Sequence, residues 1–230
     1  MKGSTNTFKT LAVASLIATS IWTSAVYSAS IEKITQANFS GNTALLEKYA
    51  QTSSTTYNAA YASWRLAGLY FSQGKRQQAI GSLNNGITRI ELESDVESQA
   101  LLATMLGFRI FLDQETYHDD GKKYAVIMDE LEVTAPQNPR VIFFQGMGML
   151  HTPEQYGGSA TRAAALLEQS ITLFEQQTPE ADTISWGKPE AYIWASIAYA
   201  KSGNMQKAKE YREQAIKLNP ALEWMPTDIK

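Results

Sequence analysis

Apolar and small residues recur at helical spacing along most of the chain, and short polar stretches separate the helical segments. The clearest case begins at Pro189, where the pattern predicts one helix to about Lys201 and a turn at Ser202–Asn204. A second helix follows from about Met205 to Leu218, and Asn219-Pro220 ends it. The pattern therefore predicts a helix–turn–helix unit rather than a strand.

A second segment of the chain repeats this unit at an offset of 129 residues. Small residues, an aromatic residue and a glycine recur at matching positions. The aligned pairs are Leu66 with Ala195, Ala67 with Ser196, Tyr70 with Tyr199, Gly74 with Gly203, Ala79 with Ala208, Gly86 with Ala215 and Ile87 with Ile216. Two helices pack closely only where both carry small side chains at the crossing, so the recurrence predicts a repeated helical hairpin.

Two more divergent units lie between these segments, which gives four units near residues 60–93, 100–136, 139–177 and 189–220. The second helix of the second unit is predicted from about Gly121 to Thr134, and Gly146 is predicted at a close crossing in the third unit. The three inserted stretches are Gln114–Lys122, His151–Gly158 and Gln177–Lys188. An amphipathic segment, Ile31–Ala50, is expected to cap the first unit.

These units resemble the tetratricopeptide repeat family. The signature positions in the last unit are Tyr199, Gly203, Ala208, Ala215 and Pro220, and those in the first are Leu66, Ala67, Tyr70, Gly74, Ala79 and Leu83. The resemblance implies an all-α, tetratricopeptide-like α-solenoid of about four helix–turn–helix units with an N-terminal capping helix. The segments Asn138–Val141, Thr152–Gly158 and Trp186–Pro189 also resemble a subtype of small exported bacterial repeat proteins without an assigned activity.

Residues 1–28 have the three parts of a secretory signal peptide. Lys2 and Lys9 supply positive charge, and Leu11–Val26 is an apolar stretch interrupted by Ser and Thr. A membrane-spanning helix needs about 20 predominantly apolar residues, so cleavage near Ser28–Ser30 is favoured over an uncleaved anchor. We therefore expect a periplasmic or secreted mature chain, residues 29–230, that folds as one domain with no membrane span.

Charge and composition exclude several classes of function. Without Lys2 and Lys9 the chain has 18 basic and 23 acidic residues, a net charge of −5, which argues against nucleic-acid binding. The absence of cysteine excludes disulfides, thiolate nucleophiles and Cys-ligated zinc. No cofactor and no catalytic or metal-binding residue is predicted, and we expect no enzyme activity. The alternative of a metal-dependent enzyme would rest on the insertion His118–Asp120, which offers one histidine and two acids.

The resemblance also implies a concave face lined by the first helix of each unit. The residues that it places there are Tyr61, Trp64, Arg65, Phe71, Arg140, Phe143, Met147 and Ile193. Aromatic residues and Met are typical of peptide-binding surfaces. The same side chains can instead pack on one another, or on the tail Leu222–Pro226, and both readings stay open. The family's carboxylate clamp is not supported, because Arg65, Phe144 and Trp194 occupy its positions.

The sequence thus predicts a non-catalytic scaffold of the bacterial envelope that binds a protein or peptide through an aromatic and apolar groove. A small-ligand-binding or transport-accessory protein is the alternative. The sequence does not determine the oligomeric state.

Overall fold

The structure, a computed structural model, describes residues 29–178 and 184–223. The predicted signal peptide, residues 1–28, and the tail residues Trp224–Pro226 lie outside the described residues. Within these ranges the chain forms ten α-helices, two short 3-10 turns and no strand. The helices are α1 (Ile31–Phe39), α2 (Thr43–Thr52), α3 (Thr56–Ser72), α4 (Arg76–Ile90), α5 (Val96–Leu112), α6 (Tyr117–Thr134), α7 (Pro139–His151), α8 (Ala160–Gln176), α9 (Lys188–Lys201) and α10 (Met205–Leu218). The 3-10 turns are Glu154–Tyr156 and Pro220–Leu222.

The helices pack mainly against their neighbours in the chain, which confirms the predicted all-α, tetratricopeptide-like α-solenoid. The pairs α3/α4, α5/α6, α7/α8 and α9/α10 correspond to the four expected units, and α1 and α2 pack ahead of them on α3. No helix in the described ranges is long and apolar enough to cross a membrane. The boundaries of the mature domain stay a prediction.

Small residues lie where helices cross, as the sequence pattern predicts. A Cβ atom on Gly146 in α7 would come within 2.8 Å of Cγ of Leu167 in α8. A Cβ atom on Gly86 in α4 would come within 2.7 Å of the Met105 sulfur in α5. Ala208 in α10 is fully buried. Both glycines are therefore required for the close approach of the helices around them.

Side chains at the helix starts explain where most helices begin. Ser30, Thr55, Asp95, Asn138 and Ser159 each accept a hydrogen bond from a backbone N–H of the first turn of the helix that follows. Such caps satisfy backbone donors that have no partner inside the helix.

Helix α6 begins at Tyr117, so the predicted start near Gly121 is wrong. Its first turn carries Asp119 and Asp120, and negative charge is favourable at a helix N-terminus. Asp120 is also held by Arg109 of α5. Most of the predicted insertion Gln114–Lys122 is therefore helical.

Candidate functional site

The indole of Trp186 occupies the centre of the concave face. This residue precedes α9 and is 2% exposed. Its ring centroid lies 5.1 Å from that of Tyr61, 5.4 Å from that of Trp64 and 5.8 Å from that of Phe144. We call these four residues the aromatic core of the concave face. The segment before α9, predicted as part of an insertion, thus contributes the central side chain of this face.

Polar contacts fix the segment around Trp186. Its indole N–H donates to the Tyr57 hydroxyl at 3.0 Å, and Arg140 Nε donates to its carbonyl oxygen at 3.1 Å. Arg140 Nη2 donates to the carbonyl of Ile184. Gly187 has φ +115, and a Cβ there would come within 2.5 Å of the Phe174 ring. Only glycine fits both this backbone conformation and this contact.

A buried ion pair beside the aromatic core joins the first predicted unit to the last. Arg65 in α3 pairs with Glu190 in α9, and both side chains are buried. Arg65 Nη2 also donates to the Tyr61 hydroxyl at 2.7 Å, and that hydroxyl lies 2.9 Å from the Thr35 hydroxyl of α1. Burial raises the pKa of Tyr61 to about 12, although the positive charge of Arg65 acts in the opposite direction. Helices α1, α3 and α9 are therefore linked by one buried polar network.

The structure places most of the predicted groove residues in the interior. Those buried are Tyr61, Arg65, Arg140, Phe143 and Ile193, whereas Trp64 and Met147 are half-buried and Phe71 is exposed. Ile193 packs against Leu222, at the start of the predicted tail plug, and the rest of that plug is not described. Partner binding by these eight residues stays a prediction, and Phe71 is the most accessible of them.

Three phenylalanines form an exposed cluster at the C-terminal ends of α3 and α5. The ring of Phe71 makes edge-on contacts with Phe108 at 5.7 Å and Phe111 at 5.6 Å. Phe71 is 43% exposed and Phe111 is 66% exposed. Phe108 and Phe111 were not among the predicted groove residues, although their three-residue spacing on an apolar helix indicates a shared face. We call Phe71, Phe108 and Phe111 the phenylalanine cluster.

The three residues considered for metal binding, His118, Asp119 and Asp120, lie in different environments. Asp120 is buried and accepts two hydrogen bonds from Arg109, at 2.6 and 2.7 Å. His118 and Asp119 are exposed on the first turn of α6. In residues 29–178 and 184–223, no three His, Cys, Asp or Glu side chains are grouped to hold a metal ion.

The second histidine, His151, lies at the end of α7 beside the half-buried Trp194 of α9. Its ring packs edge-on against Trp194 at 5.2 Å, and its Nδ1 lies 2.8 Å from the carbonyl oxygen of Met147. A carbonyl only accepts, so Nδ1 donates this hydrogen bond and Nε2 takes no part in it. The side chain is exposed, and Nε2 is therefore available to a ligand.

Comparison with known proteins supports the helical-repeat fold. Residues 189–222 match the model of the tetratricopeptide repeat. The solved structure of the HusA haemophore from Porphyromonas gingivalis matches with a TM-score of 0.54 and 19% identity, covering 75% of this chain and 92% of that chain. MamA matches with a TM-score of 0.35 and 17% identity, covering 81% of this chain and 91% of that one. A comparison with curated proteins finds no match.

The matched residues coincide with α9 and α10, the unit in which the sequence signature is clearest. The likeness to HusA extends over most of both chains and shows a shared fold. The pair α9/α10 therefore matches the tetratricopeptide repeat, and the chain has a tetratricopeptide-like α-solenoid fold.

Proposed function

We propose that the protein is a non-catalytic scaffold of the bacterial envelope that binds a protein or peptide through the exposed aromatic end of its concave face. The phenylalanine cluster carries this proposal. Exposed aromatic surface on a folded chain is costly unless a partner covers it, and aromatic residues are enriched where partners bind. The envelope location rests on the predicted signal peptide, residues 1–28.

The filled centre of the concave face limits where a partner binds. Trp186 and the Arg65–Glu190 pair already occupy the region between α3 and α9. A partner side chain that packs on Phe71 and Phe111 needs no displacement of these groups. The phenylalanine cluster therefore supplies the anchoring contacts, and the buried aromatic core keeps α3 and α9 in place beside it.

Crosslinking and affinity capture from envelope extract test this proposal. The full chain is compared with the double variant Phe71→Ser/Phe111→Ser, and the control is Tyr156→Ser, which removes a 75% exposed aromatic side chain elsewhere. We expect one partner to be retained by the wild type and by the control and lost from the double variant. Far-ultraviolet circular dichroism and thermal melting check that each variant is folded.

Two outcomes would contradict the proposal. Equal capture by the folded double variant would exclude the phenylalanine cluster as the interface. Recovery of the chain only from the cytoplasmic fraction of the producing cells would exclude the envelope location.

A second candidate function is small-ligand binding, which His151 favours. A histidine whose Nδ1 is held by a carbonyl presents Nε2 as a metal ligand, and the ring of Trp194 beside it offers apolar stacking surface. A metalloporphyrin has both a planar apolar surface and an open metal position. HusA is a haemophore, but a 19% identity to it shows a shared fold alone.

Titration with ferric haem tests the second candidate. We expect a shifted Soret band with the wild type that is lost in His151→Ala. His118→Ala is the matched control, because the chain has only 2 histidines. If both variants bind haem as the wild type does, His151 is not the ligand.

A further inference from the structure

Acidic residues are concentrated in the second predicted unit and the loop before it. Residues 91–134 contain 11 acidic and 3 basic residues, a net charge of −8. The rest of the chain from residue 29 onwards contains 12 acidic and 15 basic residues, a net charge of +3. The chain therefore has one strongly negative part, which attracts positively charged partners over a distance.

An exposed apolar stripe runs along α6 in this part of the chain. Val126 is 66% exposed and Val133 is 80% exposed. They are seven residues apart, so they lie on one face of the helix, about 10 Å apart along its axis. Asn138, which follows α6, donates to Glu97 in the first turn of α5 at 2.7 Å, so the end of α6 lies beside the start of α5. Leu92, almost fully exposed in the loop before α5, therefore lies at the Val133 end of the stripe.

Unpaired carboxylates border the stripe. Asp129 and Glu130 lie three and four residues after Val126, one turn further along the same face of α6. Glu91, just after α4, lines the same groove as Val126. All three carboxylates are exposed, and none forms an ion pair within residues 29–178 and 184–223. The stripe is therefore an apolar surface flanked by negative charge.

We propose that this surface binds a basic amphipathic helix of another protein. Apolar side chains at seven-residue spacing on that helix pack on Val126 and Val133. Lysine or arginine side chains one turn along it pair with Asp129 and Glu130. An acidic partner or an anionic lipid surface is disfavoured, because like charges repel across an interface.

Charge also orients the bound helix. Lys122 and Lys123 lie one turn before Val126, so the basic residues of the bound helix belong at the Val133 end of the stripe. The phenylalanine cluster lies at the opposite end of α5, about 20 Å from the start of that helix. This surface is therefore separate from the one in the proposed function, and the two are tested independently.

Fluorescence anisotropy with two labelled synthetic peptides tests the proposal. Both are helices of about 21 residues with leucine at positions a and d of each heptad, and the other positions are mainly lysine in one peptide and glutamate in the other. We expect the full chain to bind the lysine peptide at least about tenfold more tightly than the glutamate peptide, with an affinity that falls as salt rises from about 0.01 to about 0.15 M. Absence of binding, or equal binding of both peptides, overturns the proposal.

Charge-removing variants distinguish a local site from attraction by net charge. Asp129→Asn/Glu130→Gln removes two charges beside the stripe, and the control Glu210→Gln/Glu213→Gln removes two from exposed positions of α10. We expect the first to weaken binding of the lysine peptide about tenfold at low salt and the second to leave it unchanged. Equal affinity of the two variants for the peptide overturns the assigned site.

A second pair of variants tests the apolar contact. Val126→Ser/Val133→Ser is expected to weaken binding of the lysine peptide about tenfold, because the side chains that it packs on are lost. Phe71→Ser/Phe111→Ser is expected to bind the peptide as the wild type does. The reverse result places the peptide on the phenylalanine cluster and overturns the proposal. Circular dichroism checks that each variant is folded.

Discussion

Arg65 and Glu190 are 125 residues apart in the chain and form a buried ion pair that joins α3 to α9. The guanidinium of Arg65 also lies over the rings of Trp64 and Trp186, at 4.4 and 5.3 Å from their centroids. The charge is therefore enclosed by aromatic surface and balanced by one carboxylate. The concave face of this solenoid is closed by direct contact between its first and last predicted units.

Removing the carboxylate of Glu190 is expected to destabilise the fold. Glu190→Ala leaves the Arg65 charge buried without its partner, which lowers the free energy of unfolding by about 3–5 kcal/mol. The control is Lys188→Ala, which breaks the 4.0 Å contact with Glu175 at the surface. An exposed pair of this kind contributes about 0–1 kcal/mol.

Urea denaturation of both variants gives the comparison. A loss below about 1 kcal/mol for Glu190→Ala would show that water reaches Arg65 and that the concave face is not closed.

Gly146→Val tests the helix crossing between α7 and α8. The added side chain meets Leu167 at 2.8 Å, so overpacking is expected to lower stability by about 1–3 kcal/mol. Gly81→Val in α4 is the matched control, because a Cβ at Gly81 meets no atom within 4 Å. Thermal melting should separate the two variants. Equal melting temperatures would mean that α7 and α8 cross elsewhere.

Trp186→Ala should leave a site shaped for an indole. Loss of this buried side chain is expected to lower the free energy of unfolding by about 3–5 kcal/mol. The surrounding rings of Tyr61 and Trp64 and the hydroxyl of Tyr57 remain as a template. Free indole should therefore raise the melting temperature of the variant.

Two controls accompany that measurement. Indole is expected to leave the melting temperature of the wild type unchanged. It is also expected to leave that of Trp194→Ala unchanged, because the side chain removed there is only half-buried. No rise for Trp186→Ala at millimolar indole would show that the emptied site collapses.

The packing between neighbouring helices was predictable from the sequence, whereas the contact between α3 and α9 was not. The positions of Gly146 and Ala208 were predictable because small residues at helical spacing mark where two neighbouring helices cross closely. Trp186 lies in a stretch without periodicity, and nothing in its sequence context indicates which face it covers. The contact of Arg65 with Glu190 depends on the curvature summed over all the intervening helices, which no single repeat encodes.

The candidate site, too, was predictable from the sequence only in part. Phe71 follows from the repeat pattern, because the equivalent position of a tetratricopeptide unit faces the concave side. Arg140 was predicted to line the groove, and in the structure it is buried and donates to the backbone carbonyls of Ile184 and Trp186. Burial therefore decided which predicted residues remain accessible, and burial depends on long-range packing.

Stability is expected to fall in alkali. The pKa of Tyr61 is raised by burial to about 12, above the value of about 10 for an unfolded tyrosine. The contribution of neutral Tyr61 to the free energy of unfolding is fully present below about pH 10. It is lost as the pH rises towards 12, by up to about 1.4 kcal/mol per pH unit. Burial raises the pKa of Tyr57 as well.

Urea denaturation between pH 9 and 11 measures this slope. Tyr61→Phe is expected to be less stable at every pH but to lose less stability per pH unit than the wild type. Tyr156→Phe is the control at an exposed site. An identical slope for the wild type and Tyr61→Phe would contradict the assignment.

The contacts of Ala29 bear on the predicted cleavage site. Ala29 is buried, and its carbonyl accepts a hydrogen bond from the Asn58 side chain at 2.8 Å. Ser30 caps α1. Cleavage after Ser28 keeps both contacts, whereas cleavage after Ser30 removes them. We therefore expect intact-mass spectrometry of the exported chain to show Ala29 as the first residue, and a chain beginning at Ile31 or Met1 would contradict this.

The closure between α3 and α9 also fixes the number of repeats. In an open solenoid each repeat contacts only its neighbours, so repeats can be added or removed with a gradual change in stability. Here the deletion of any internal repeat would separate Arg65 from Glu190 and withdraw Trp186 from its ring contacts. Folding must bring together residues 125 positions apart, which raises the contact order above that of a purely local array. Because side chains of the first and last predicted units are in contact, we expect the chain to unfold as one cooperative unit and not to fray from its ends.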